Sequence, residues 1–322
     1  MWDFLTHPAF LWTVIVLAAL GVSLLIASYP IAASIVYKIT LTRKSKDKWG
    51  RTISNDLIPE QRAMYDAGLK WAAENADKKT DLHIVNEGLN LYGEYYDFGF
   101  DKCAFILSGR TESLKYGYYF AKPYQENGFN VFVFDPRAHG DSDGRYNTAG
   151  FEEYKDDIAW VKHITKTFGV KTIVFHGICI GAAGGLYAII DKNCPEEVKG
   201  IVTEGMFANF GESMKNHLRE RNKPVFIMYD LINLNMKKHT GHDMNYGPID
   251  LIDRLDKPLL MLHSKEDTYS TPDFANKLFE KAGCDKKQLV WFEKGRHSML
   301  RITDTEKYDK AIADFIKDNG WN

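Results

Sequence analysis

The sequence predicts an α/β domain, with a mostly parallel central sheet covered by helices on both faces, behind one N-terminal membrane-spanning helix. Three observations carry this reading. Short β-rich runs alternate with amphipathic stretches of helical length, an uncharged apolar stretch opens the chain, and a Gly-x-Cys-x-Gly turn joins an apolar strand to a run of small residues.

The β-rich runs are residues 81–87, 89–98, 102–109, 130–136, 171–177, 198–205, 258–264 and 288–295. The first two read as an antiparallel pair. Helical patterns at 59–76, 116–126, 152–168, 183–192, 272–282 and 305–317 complete the alternation. Near-continuously apolar strands joined by helices of this length imply a sheet buried on both faces. Residues 206–255 are too long for a simple connection and are expected to form a cap. Their apolar members (Met206, Phe207, Phe210, Met228, Tyr229, Met236, Met244) either cover an apolar pocket or only pack the cap against the sheet. The expected domains are an anchor at 1–37, a polar and partly helical connection at 38–80, and a catalytic domain at 81–322 that contains the 206–255 cap.

Residues 8–37 hold no charged side chain, and 9–29 are almost wholly apolar. At ~1.5 Å per residue that apolar run spans about 31 Å, the thickness of a hydrocarbon core. Trp12 suits one interface, and Tyr29 and Tyr37 suit the other. A cleaved signal peptide would explain the small residues at 32–34. It would also need a basic start and a shorter apolar run, and this chain has neither. Lys38, Arg43, Lys44, Lys46, Lys48 and Arg51 follow the run, with only Asp3 before it. The expected topology is single-pass, with the catalytic domain in the cytoplasm.

A net charge of −2 gives no reason to expect a nucleic-acid partner. The four cysteines (Cys103, Cys179, Cys194, Cys284) lack the spacing of a metal site or a disulfide framework. They read as free thiols in a reducing compartment, and no metal or cofactor is expected.

Residues 173–185, IVFHGICIGAAGG, are the most informative stretch. Gly177-Ile178-Cys179-Ile180-Gly181 has the form of a nucleophile elbow with cysteine in the serine position. The turn is strained, so the residues two positions either side must be small, and both are glycine. The geometry lifts the Cys179 thiol above the sheet and aims a helix N-terminus at it. The Ile180 N–H then becomes an oxyanion donor. Otherwise Cys179 would be a small buried thiol beside a tight turn.

Partners follow in the order nucleophile, acid, base. Asp267 lies just beyond the strand at 258–264, and His297 lies in the loop after the last strand. Parallel strands end on one rim, so Cys179, Asp267 and His297 converge there. The imidazole takes the thiol proton, and the carboxylate orients the imidazole. Glu204, at the end of the preceding strand, is the alternative acid. The second oxyanion donor is expected at the Arg110 N–H, after Gly109. The Arg110 side chain is expected in solvent or on an acidic substrate group. Asp135, Arg137 and His139 are expected to brace this loop by hydrogen bonds rather than to take part in chemistry.

These residues, in this order, resemble the α/β-hydrolase superfamily over roughly residues 80–320. The likeness is greatest to serine-aminopeptidase-like and BAAT-like bacterial hydrolases with an N-terminal membrane segment. It rests on DPRAHGDSDG, the following YNTAGFEEYKDDIAWVKHI, and VFHGICIGAAGG. The resemblance places the family's nucleophile on Cys179, its acid on Asp267 and its base on His297. Two departures stand out: cysteine replaces the usual serine, and Ser108-Gly109 replaces the usual His-Gly. The resemblance implies the α/β-hydrolase fold and a cofactor-free hydrolase of carboxylic esters or thioesters, acting on a small-molecule acyl substrate. Two alternatives are an acyltransferase that passes the acyl group to an amine, and a catalytically silent membrane-bound binding protein.

Overall fold

The computed structural model describes residues 7–43 and 58–322. Four of the six basic residues invoked for topology (Lys44, Lys46, Lys48, Arg51) lie outside the described residues.

Eight strands form one sheet: β1 (Lys79–Asn86), β2 (Leu89–Tyr96), β3 (Lys102–Leu107), β4 (Asn130–Phe134), β5 (Thr172–Ile178), β6 (Val198–Glu204), β7 (Leu259–Ser264) and β8 (Lys287–Phe292). Their order is β1-β2-β4-β3-β5-β6-β7-β8. β2 runs antiparallel to β1 and to β4, and every pair from β4 to β8 is parallel. All eight overlap the β-rich runs: β3 to β7, buried on both faces, need near-continuous apolar sequence, whereas β1 and β8 at the two edges stay partly exposed.

Eight longer helices accompany the sheet: α1 (Pro8–Leu41), α2 (Pro59–Glu74), α3 (Glu153–Phe168), α4 (Ile180–Ile189), α5 (Phe210–Glu220), α6 (Met228–Thr240), α7 (Pro272–Lys281) and α8 (Thr305–Asp318). α3 shows how the sequence writes one. Glu153 and Asp156 load its first turn with negative charge, and Gly169 ends it in a left-handed conformation at φ 68°. Its inner face presents Trp160, Val161 and Ile164, all fully buried. The helix expected at 116–126 is instead three short turns (Leu114–Gly117, Tyr118–Phe120, Lys122–Gln125). Pro123, which lacks an N–H, prevents a continuous ladder. α4 starts three residues earlier than its pattern suggests, directly at the elbow.

The anchor departs most from expectation. α1 continues through residue 37 without a break and ends at Leu41, where Ala33, Tyr37, Thr40 and Leu41 are buried. At ~1.5 Å per residue its 34 residues reach about 51 Å, some 20 Å beyond a hydrocarbon core. The excess docks on the cap. Ala33, Tyr37 and Leu41 share one apolar cluster with Phe207, Phe210, Met228, Tyr229, Ile232, Met236 and Met244. The cap's apolar residues thus bind the cap to the end of α1 as well as to the sheet. Beyond α1, the Asn147 N–H donates to the Leu41 carbonyl (3.0 Å) and the Arg43 N–H to that of Arg145 (2.8 Å). Arg43 is itself buried, with its guanidinium on the carbonyls of Gly140 and Ser142. Its charge is spent inside the fold and not at a membrane surface.

Candidate active site

The β5–α4 junction is a tight, strained turn. Cys179 has φ 53°, a left-handed value that a non-glycine residue adopts only when the surroundings impose it. Both flanking glycines are sterically required. A Cβ at Gly181 would lie 2.0 Å from the Leu107 carbonyl oxygen, and one at Gly177 would lie 2.4 Å from Cα of Ala182. The Cys179 N–H is tied to the Glu204 carbonyl (2.9 Å), which anchors the turn to the neighbouring strand. Ile180 is the first residue of α4, so its N–H stands among the donors a helix start leaves open.

The β7 and β8 loops bring Asp267 and His297 to the same rim. His297 Nδ1 donates to Asp267 Oδ2 at 2.7 Å, and the imidazole also interacts with the Cys179 side chain. The second oxygen of Asp267, Oδ1, accepts the N–H groups of Tyr269 and Ser270, both at 2.8 Å. The acid is thereby clamped with one oxygen free for the imidazole. Burial disfavours a charged His297. The Asp267 carboxylate and Cys179 outweigh it and hold the imidazole's pKa well above its usual value. Burial likewise opposes charge on Asp267, but His297 keeps its carboxyl below the ordinary range.

Glu204, the alternative acid, faces elsewhere. It is fully buried, accepting the Leu300 N–H on Oε1 (2.9 Å) and the Tyr308 hydroxyl on Oε2 (2.6 Å). Burial pushes its carboxyl up to about 7. It supports the segment just after His297 instead of the imidazole.

The loop after β3 is braced from below. His139 is buried, donates from Nδ1 to the Arg137 carbonyl (3.0 Å) and accepts the Thr111 N–H at Nε2 (3.2 Å). Burial lowers its pKa to about 4, so it is neutral. Asp135 receives the N–H groups of Leu114 and Asp141, and Arg137 is paired with Asp156. Arg110 sits at the rim of the same cavity as Cys179. Its side chain is not committed to solvent: Nη1 donates to the Thr40 carbonyl at 3.2 Å, one of the last carbonyls of α1.

A cavity of about 250 Å³ lies over Cys179 and His297, with Phe210, Met214, Tyr269 and Thr40 in its wall. The sequence did not single out Met214, Tyr269 or Thr40. Tyr269, two residues after Asp267 in the same loop, was the one within reach of local reasoning. Thr40 reaches the site only through the docking of α1.

Strand order, elbow and rim placement define an α/β-hydrolase, and the comparisons agree. Residues 105–241 match the family model of the α/β-hydrolase fold, and the chain belongs to that family. The uncharacterized protein YqkD of Bacillus subtilis is 30% identical over 66% of this chain and 69% of its own length. The lysophosphatidylserine lipase ABHD12 of Danio rerio is 25% identical over 49% of this chain, which spans 41% of that protein. The esterase Pf2001 of Pyrococcus furiosus superposes with a TM-score of 0.65 at 20% identity, covering 77% of this chain and 93% of its own.

Proposed function

We propose that the chain is a membrane-anchored hydrolase of carboxylic esters or thioesters that works through a thioester on Cys179. The observation that carries this reading is the 2.7 Å Asp267–His297 hydrogen bond with the imidazole next to an elbow cysteine. Cys179 Sγ attacks the acyl carbon as His297 receives its proton. The carbonyl electrons move to oxygen, which the N–H groups of Ile180 and Arg110 receive. The tetrahedral species collapses, the bond to the leaving oxygen or sulfur breaks, and His297 returns the proton to that group. His297 then deprotonates water, which attacks the thioester, and the acid leaves as Cys179 is restored. The esterase and lipase activities of Pf2001 and ABHD12 are in keeping with this chemistry.

The membrane part of the reading rests on α1, a helix long and apolar enough to cross a bilayer. The flanking charge still favours a cytoplasmic domain, although Arg43 drops out of the count.

The test is a panel of acyl esters and thioesters, each with and without an amine acceptor. Free acid should form at a rate that Cys179→Ala and His297→Ala each lower by at least about a thousandfold, non-additively. Asp267→Asn should cost as much or somewhat less. Product that appears only when an amine is present would make the chain an acyltransferase. Absence of turnover across the panel would leave a binding protein.

A further inference from the structure

Between α5 and α6 the cap carries an exposed apolar tip outside the cavity over Cys179, although Arg221 of the same segment helps to line that cavity. Residues 219–227 read Arg-Glu-Arg-Asn-Lys-Pro-Val-Phe-Ile. Phe226 is 81% exposed and Ile227 45%, the least covered apolar side chains of the cap tip. Ile227 holds φ 63°, a conformation costly for a β-branched residue, and still turns an apolar side chain outward. Arg219 and Lys223 are exposed on the same segment and form no ion pair among the described residues, Arg219 donating only to Asn216 Oδ1 (2.6 Å).

The position of the tip gives this pattern a meaning. Residue 227 leads directly into α6, the helix packed along the end of α1. Val225, just before the exposed pair Phe226–Ile227, and Leu231 after it pack against the apolar cluster that also takes in Tyr29, Ala32 and Ala33 of α1. With about 20 residues needed to cross the hydrocarbon, a span that starts near Pro8 ends close to Tyr29. The segment bearing the tip is thereby tied to the same apolar cluster as the part of α1 that would leave the bilayer. On α6, Leu234 is 59% exposed and continues the apolar surface. Apolar side chains flanked by unpaired cations suit one partner, an anionic lipid surface: rings and aliphatic groups enter the acyl boundary while Lys and Arg stay among the headgroups.

We infer that the tip at residues 226–227 inserts into the lipid surface beside α1, giving the domain a second membrane contact that fixes how its cap faces the bilayer. The inference rests on the reading of α1 as a membrane span, and the experiment separates the two. A photoreactive benzophenone side chain is placed at position 226 of the full chain, reconstituted in vesicles of phosphatidylcholine and phosphatidylglycerol. The reference site is position 100, where Phe100 is 40% exposed just before β3, at the rim opposite the cap. After irradiation, mass spectrometry should find lipid adducts several-fold more abundant at 226 than at 100, in protein that resists carbonate extraction. Carbonate-resistant protein with equal adduct yields at the two sites would overturn the tip contact alone. Cross-linked protein dimers at 226 would overturn it in favour of a second copy. Release by carbonate would overturn the anchor reading and this inference with it.

Discussion

At the residue scale, the chemistry of the four thiols is set by their surroundings. Burial raises the pKa of Cys103 far above the ordinary thiol range, pushes Cys194 up to about 12 and raises Cys284. Cys179 alone stands at a rim cavity beside an imidazole. Iodoacetamide should therefore alkylate Cys179 selectively in the folded protein, because it is the thiol at an open cavity. Peptide mapping that finds Cys103, Cys194 or Cys284 labelled as fast in the folded protein would contradict this. Glu204 makes a second prediction. Its folded pKa of about 7 lies above the ordinary carboxyl value, so the stability tied to its proton is complete below about pH 4.5. It is lost as pH rises through 7. A shift of that size corresponds to about 3 kcal/mol between pH 4 and 8. Glu204→Gln, which cannot ionise, should flatten that part of the melting-temperature profile. An unchanged slope would mean that Glu204 is already charged in the fold.

At the element scale, the notable contact is between α1 and α6. The Tyr37 ring stacks on His239 with centroids 5.4 Å apart, and His239 stacks in turn on Tyr146 at 5.4 Å. Tyr37 is 1% exposed, so it behaves as a core side chain near the end of α1. Tyr37→Ala should destabilise the domain by about 3 kcal/mol or more, the usual cost of deleting a buried aromatic. Thermal unfolding in detergent measures this, and a change under about 0.5 kcal/mol would mean that the helix end is not part of the core. Legibility at this scale follows the range of the contacts. The eight strands and the elbow were readable because alternation, apolar runs and the paired glycines are local patterns. The docking of 33–41 was not, because uniformly apolar sequence looks the same whether its partner is lipid or a cap helix.

For the whole molecule, α1 continues into the domain through buried residues and backbone hydrogen bonds, so the catalytic rim is held close to where that helix ends. With the catalytic domain in the cytoplasm, a membrane-impermeant protease should leave it intact in whole cells and digest it after lysis. Membrane pellets should retain the chain through a high-salt wash. Digestion in intact cells would reverse the topology, and a soluble product starting near residue 34 would restore a cleaved signal.

The sequence by itself determined the strands, the turn that raises Cys179, and the chain order that brings Asp267 and His297 to one rim. Each follows from neighbours a few residues apart or from the rule that parallel strands share an end. Only the tertiary structure decided what the polar side chains do. Glu204 ends β6 and Asp267 lies in the loop after β7, and they part company because the β7 loop aims a carboxylate at His297 while Glu204 is sealed against Tyr308 and Leu300. Arg43 and Arg110 read as surface cations, yet they bond carbonyls far away in the chain. A side chain's partner depends on which distant segment the fold delivers to it, and that information resides in packing across the molecule, not in local pattern.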